Sequence, residues 1–296
     1  MHLRVATVTL ALLGPALVAA PGPAGADPAC RQRPATVAFR TIPGVDRNLT
    51  SLDVHPVGAG CDHPVVVWVH GGGYRTGDKR NAMADKVRWA RAHGWVLVSV
   101  NYRLTRSGDP HPARYPDHYD DVASALAWTV AHSSRYGGDP DRIAVLGHSA
   151  GADIVSNVMA VPDHLRRHGR EPSDFRCAGP LDTEGFDKPR ATATGRDQWR
   201  RPLGNLTDYR TETSATLRAR RRTHIPATIG VVRGSPRRRS IERDFLRTLD
   251  RLGVTTTTID ARTLSHAEVN RRIGAPGDTV MTPPLTRFLD SCFRSA

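Results

Sequence analysis

The order of segments along the chain predicts an α/β protein, a mostly parallel sheet covered by helices on both faces. Three observations carry the prediction. Continuous apolar runs alternate with segments of helical periodicity, and a strand buried on both faces reads as such a run. The residues Gly147-His148-Ser149-Ala150-Gly151 follow one of these runs, Arg142-Ile143-Ala144-Val145-Leu146, and open a helical segment. His70-Gly71-Gly72-Gly73 follows another run, Val65-Val66-Val67-Trp68-Val69.

Residues 36–39 and 49–55 alternate apolar and polar side chains, with Leu52 and Val54 on one face, and predict an opening antiparallel pair. Residues 65–69 predict a buried parallel strand. Residues 81–93 predict a helix with Met83, Val87 and Ala90 on one stripe, stopped by Gly94. Residues 95–102 predict a second buried strand, and residues 119–133 a helix with Val122, Ala125, Leu126 and Val130 inward. Gly137-Gly138-Asp139-Pro140 makes the turn into the Ile143 strand. Residues 162–222 are polar and rich in Arg, Gly and Pro; apart from an apolar piece at 175–181, they predict a small lid or long loops. Regularity returns with a strand at 227–232, then a helix marked by Ile241, Phe245, Leu249 and Leu252 and stopped by Gly253. A β-branched strand at 254–259 follows, and a last helix holds Leu285, Phe288, Leu289 and Cys292. No internal repeat and no second domain is visible.

The chain of 296 residues starts with what reads as a secretory signal. Arg4 precedes an almost wholly apolar stretch from Val5 to Ala20, and Ala24-Gly25-Ala26 offers a cleavage site. At about 16 residues the apolar stretch is shorter than the roughly 20 that a membrane span needs. Cys30 has Asp27 three places before it, where a lipid-modified N-terminus would want an apolar residue. Residues 1–26 are therefore expected to be a leader and residues 27–296 a single catalytic domain, secreted and without a membrane span. The four cysteines, Cys30, Cys61, Cys177 and Cys292, suggest two disulfides in an exported chain. Of the three pairings, Cys30–Cys61 and Cys177–Cys292 are favoured because each ties a terminal segment to the body. No Cys-x-x-Cys occurs, so no metal or other cofactor is expected.

The net charge of +13 is nearly all arginine, with dense runs at 218–222 and 237–239. Such runs attract anionic polymers, or they are a solvated surface. The second reading is favoured: no aromatic platform is interleaved with them and no nucleic-acid motif is visible.

The chemistry lies in the two glycine motifs. A strand that turns sharply into a helix at Gly-x-Ser-x-Gly leaves the Ser149 hydroxyl exposed on the bend, and glycines suit so tight a turn. Together with the upstream glycine loop this points to a serine hydrolase. The chain order and spacing resemble the α/β-hydrolase superfamily, most closely carboxylesterases of the hormone-sensitive-lipase and feruloyl-esterase-like type. The resemblance is carried by His70–Gly73, by Asn101-Tyr102-Arg103-Leu104 and by residues 137–151, and is loose over 162–222. It implies an eight-stranded, mostly parallel sheet. It implies Ser149 as nucleophile and the backbone N–H groups of Gly72, Gly73 and Ala150 as the oxyanion hole. His70 would order the glycine loop rather than act as base.

The resemblance places the base late in the chain. Among thirteen histidines, His266 lies in the loop after the last strand and no histidine follows it. His164 and His224 read as surface residues. Many relatives carry an Asp just after the strand equivalent to 227–232. Here that turn is Arg233-Gly234-Ser235-Pro236-Arg237-Arg238-Arg239, with no carboxylate. Cys177-Ala178-Gly179-Pro180-Leu181-Asp182 resembles the acid-bearing segment of pancreatic-type lipases, so Asp182 is the first choice. Glu184 and Asp187, and more weakly Asp244 and Asp260, are the alternatives. Without any acid a Ser–His pair would remain, with a less well fixed tautomer. Asp121 reads as a cap or structural ion-pair member, and Glu268 as part of a helix start. The expected substrate is a small-molecule or polysaccharide-linked ester, with no nucleic-acid partner. The alternative is a non-catalytic polyanion-binding protein on the same scaffold. Oligomeric state is unreadable.

Overall fold

A computed structural model describes residues 30–109, 112–193, 195–220 and 223–294. The expected leader at 1–26 lies outside the described residues. The strands are β1 (Ala35–Ala38), β2 (Ser51–His55), β3 (His63–Val69), β4 (Val96–Val100), β5 (Gly138–His148), β6 (Cys177–Leu181), β7 (Ala227–Val232) and β8 (Thr256–Asp260). They form one eight-stranded sheet in the order β1-β2-β4-β3-β5-β6-β7-β8. β1 and β2 are antiparallel, as are β2 and β4; every other pair is parallel. The sheet is thus mostly parallel, as the sequence predicts.

Six principal helices flank it: α1 (Ala84–Ala92), α2 (Asp117–His132), α3 (Ala150–Ala160), α4 (Pro236–Arg251), α5 (His266–Arg272) and α6 (Thr282–Arg294). Period-two alternation divides the strand side chains between two cores. Val65, Val67, Val69, Ile143 and Val145 face one side, where Val122, Leu126, Ile154, Val155, Phe245 and Leu249 of α2, α3 and α4 cover them. Val66, Trp68, Ala144, Leu146, Ile229 and Ile259 face the other, against Trp89 of α1, Val269 of α5 and Leu285 and Leu289 of α6. Disulfides join Cys30 to Cys61 and Cys177 to Cys292, the second tying β6 to α6.

The structure corrects several boundaries. Leu49 lies in a 3-10 turn, Arg47–Thr50, before β2 begins. β8 starts at Thr256 rather than Val254. Residues 162–220 hold β6 and several short helices, among them Lys188–Thr192, Arg200–Leu203, Tyr209–Glu212 and Ala215–Arg218. Among the described residues no helix is long and apolar enough to cross a membrane.

Candidate active site

Strand order reverses between β3 and β5: the chain leaves β3 toward β4 and leaves β5 toward β6. In open α/β sheets a crevice forms at the carboxyl ends of such a pair. Val69 is level with Gly147, and His148 with Leu181. The register therefore brings the glycine loop, Ser149 and Asp182 to one edge. Ser149 turns the chain from β5 into α3 at φ 58° and ψ −118°, strained for a side-chain-bearing residue. The flanking glycines are required by close approach. A Cβ on Gly147 would stand 2.5 Å from Gly151 O, and one on Gly151 would stand 2.2 Å from Val69 O. The Ser149 N–H donates to Leu181 O at 3.2 Å, linking the bend to the end of β6.

From that bend a chain of hydrogen bonds runs inward. Ser149 Oγ lies 2.8 Å from His266 Nε2, and His266 Nδ1 lies 2.6 Å from Asp182 Oδ2. With the proton on Nδ1, the imidazole donates to the carboxylate and accepts from the hydroxyl. Asp182, at φ 66°, is fully buried. Burial alone would raise its pKa. The hydrogen bond from His266 and the charges of Arg238 and Arg233 more than offset this and hold it below the usual carboxylate range. Arg238 donates to Asp182 Oδ1 from Nη2 at 2.5 Å and from Nε at 3.0 Å, and Arg233 Nε stands 3.4 Å from Oδ2. Both arginines come from the turn after β7 and the start of α4, the stretch without a carboxylate. They hold the acid from behind instead of supplying it. Glu242 accepts from Arg238 Nε at 3.1 Å and from the Arg233 N–H at 2.8 Å, and burial pushes its carboxyl well up.

His266 is the first residue of α5 rather than a loop residue. Ser265 caps the helix, and Glu268 completes a reciprocal capping box with it. The ring of His148 lies 4.5 Å from that of His266, and its Nε2–H donates to His266 O at 2.9 Å. Burial, then the neighbouring His266, pushes His148 down to about 3, so it stays neutral as that donation requires. Lys86 steadies the same helix from α1. Its Nζ donates to Asn270 O at 2.8 Å and Ala82 O at 3.1 Å while lying 4.6 Å over the Trp68 ring.

The glycine loop is braced from below. His70 Nδ1–H donates to Gly71 O at 2.7 Å, and its ring stacks on Tyr102 at 4.4 Å. Tyr102 OH donates to His70 O at 3.0 Å. Gly72 has φ 123°, and a Cβ there would stand 2.0 Å from Thr76 O. Gly72, Gly73, Ser149 and His266 line one cavity of about 610 Å³, and Ala150 is the first residue of α3.

The other acid candidates are engaged elsewhere. Glu184 pairs with Arg237 and Arg238, Asp187 caps Lys188–Thr192, Asp244 pairs with Arg190 and Asp260 with Arg262. Asp121 pairs with Arg103 and Arg40. His224 is exposed, but His164 is buried against Tyr115 and Tyr119, which corrects its reading as a surface residue. Sequence reasoning missed His148, Arg238 and Arg233. His148 sits within the Gly-x-Ser-x-Gly motif itself; nothing in the arginine run singled out Arg238. His148, Asp182 and His266 offer ligand atoms within 4.8 Å of one another, but these atoms are already bonded within the cluster.

Comparison with known proteins finds likeness to esterases. The BD-FAE family model matches residues 52–175. The probable carboxylic ester hydrolase LipM of Mycobacterium tuberculosis is 40% identical over 38% of this chain and 25% of its own length. Carboxylesterase NlhH of Mycobacterium tuberculosis is 46% identical over 33% of this chain and 28% of its own length. The matched stretch thus spans about a quarter of these curated relatives. Among solved structures, esterase B from Lactobacillus rhamnosis superposes with a TM-score of 0.70 at 16% identity, covering 88% of this chain and 86% of that one. An esterase from Pyrobaculum calidifontis gives 0.65 at 20%, covering 82% and 80%. The structural likeness shows that the chain has the α/β-hydrolase fold. In sequence, the likeness is to carboxylic ester hydrolases over about a third of this chain.

Proposed function

We propose that this protein is a secreted serine esterase that hydrolyses carboxylic esters through an acyl-enzyme on Ser149. The observation that carries the reading is the unbroken hydrogen-bond chain Ser149–His266–Asp182 beside the glycine loop. His266 takes the Ser149 proton as Oγ attacks the ester carbonyl, and Asp182 stabilises the imidazolium and fixes its tautomer. Negative charge collects on the former carbonyl oxygen, where the N–H groups of Gly72, Gly73 and Ala150 stabilise it. His266 then passes its proton to the leaving alcohol. Water, deprotonated by the same imidazole, attacks the acyl-enzyme and regenerates the serine. The named activities of LipM and NlhH and the two disulfides support ester hydrolysis and export, respectively. The acyl chain is expected to come from a small-molecule or polysaccharide-linked ester. A non-catalytic polyanion-binding role is disfavoured by the aligned hydroxyl, imidazole and carboxylate.

A fluorophosphonate probe tests this directly. Ser149 is expected to be labelled stoichiometrically with loss of aryl-ester turnover, and Ser149→Ala to be neither labelled nor active. A folded wild-type protein that takes no label at Ser149 overturns the reading.

A further inference from the structure

One guanidinium lines the Ser149 cavity and two more stand near it. Arg271 lines the cavity itself, on α5 a little over one turn beyond His266. Arg75 follows the glycine loop, and its Nη2 lies 4.0 Å from where a Cβ on Gly73 would be. Arg196 lines a second cavity of about 300 Å³, which meets the first at Gln198. All three are exposed, and among the described residues none forms a salt bridge. Elsewhere on the surface some arginines are paired and others, Arg91 and Arg251 among them, form no salt bridge among the described residues. Arg88 pairs with Asp85, Arg142 with Asp139, Arg247 with Asp244 and Arg262 with Asp260. Among the described residues no carboxylate lines the Ser149 cavity, whose remaining polar wall is supplied by Thr76, Asn81, Gln198 and Asn270; Glu184 lines the second cavity and pairs with Arg237 and Arg238.

Unpaired cations of one sign around a concave site focus their field into it and raise the local concentration of anions. A guanidinium also matches the two oxygens of a carboxylate as a fork, which an ammonium does not. We propose that this site selects esters bearing a carboxylate outside the scissile bond, with Arg75, Arg196 and Arg271 as specificity-determining residues. The proposal rests on the esterase reading and deepens it: the substrate class is an acidic ester, with its neutral part hydrogen-bonded by the amide side chains of the wall. It also gives part of the +13 charge a use at the site rather than as a face for polymers.

The test compares three acetate esters of one shape and different charge: 3-carboxyphenyl acetate, phenyl acetate and 3-(trimethylammonio)phenyl acetate. Each kcat/KM is divided by the rate that its leaving-group acidity predicts. The anionic ester is expected to lead the neutral one by about tenfold at low salt, because exposed charge pairs contribute modestly and three act together. The cationic ester should come last. The spread should narrow as salt shortens the screening length. The combined variant Arg75→Gln, Arg196→Gln, Arg271→Gln should lose the preference, read as a ratio between esters that does not depend on how much protein is folded. Normalised rates equal for all three esters in the wild type overturn the inference and leave the esterase reading standing. No turnover of any ester, with no label on Ser149, overturns both.

Discussion

Asp182 has a fully buried carboxylate, and a buried carboxylate stays ionised only when opposite charge and hydrogen bonds offset its lost hydration. Arg238 meets one of its oxygens from two nitrogens while His266 meets the other. The guanidinium therefore fixes both the charge and the rotation of the carboxylate that orients the imidazole, although it lines no part of the substrate cavity. Two outcomes follow. Asp182→Asn should lower kcat by roughly 10³- to 10⁴-fold, since an amide favours the wrong tautomer of His266. Arg238→Gln should lower kcat by roughly ten- to a hundredfold through misplacement of the imidazole, with KM little changed. Arg238→Lys should restore only part of the loss, because it keeps the charge without the fork. Steady-state kinetics on one aryl ester checks all three; an unchanged kcat in Arg238→Gln would show that the clamp is dispensable. Much of this site was legible in the sequence. Ser149 and the glycine loop announce themselves through backbone geometry that only particular residues tolerate. Asp182 and His266 were reached through the resemblance, which implies an acid and a base just after strands. Arg238 was not, because one arginine among Arg237, Arg238 and Arg239 gains its meaning only when α4 turns it toward the end of β6.

At the scale of elements, the sheet and its flanking helices were readable because apolar periodicity writes them into the sequence. The segment between β6 and β7 was not, and its anchoring explains why. It is pinned to α3 by a polar network together with apolar side chains scattered among several short helices, Phe186, Trp199, Leu203 and Ala215 among them. Asp153, fully buried on α3, accepts from Lys188 Nζ at 2.7 Å, Tyr74 OH at 2.6 Å, Trp199 Nε1 at 3.0 Å and Asn157 Nδ2 at 2.9 Å. Lys188 also donates to the carbonyls of Gly185 and Thr213. One carboxylate thus gathers side chains far apart in sequence, and no local pattern reports such convergence. Removing one partner of a buried pair leaves the other charge uncompensated, at a cost of about 3 to 5 kcal/mol. Lys188→Met should therefore lower unfolding stability by about that amount, and Lys188→Met combined with Asp153→Asn by less than the sum of the two single changes. Denaturant titration of the four proteins checks this. Additive losses would mean that the two groups are not coupled.

Across the whole molecule, the buried histidines set how stability responds to acid. His118 and His148 are pushed down to about 3 and His164 to about 4, each chiefly by burial, and His70 is also lowered by burial. Unfolding exposes them to water, where an imidazole titrates near its ordinary value of 6.5. Between that value and the depressed ones, the unfolded chain binds protons that the folded chain does not, so stability rises with pH through this window and is lost as pH falls. Each histidine contributes up to about 1.4 kcal/mol per pH unit there. Glu242 opposes them, since burial raises it and the folded chain holds its proton where the unfolded chain has released it. Burial raises Asp121 as well and lowers His55, so two carboxyls stand against five imidazoles and the net sign stays with the histidines. The net charge of +13, which grows on acidification, acts in the same direction through self-repulsion. The melting temperature is therefore expected to be steady around neutral pH and to fall progressively from about pH 6.5 toward pH 4, well before ordinary carboxylates titrate. His118→Asn should flatten that fall, because it removes one proton-binding group from the unfolded chain's advantage. Thermal melts at half-unit pH intervals, with wild type and variant in parallel, check the argument. A melting temperature constant from pH 6.5 to 4.5 would mean that these imidazoles titrate normally in the folded state and are not sealed in the core.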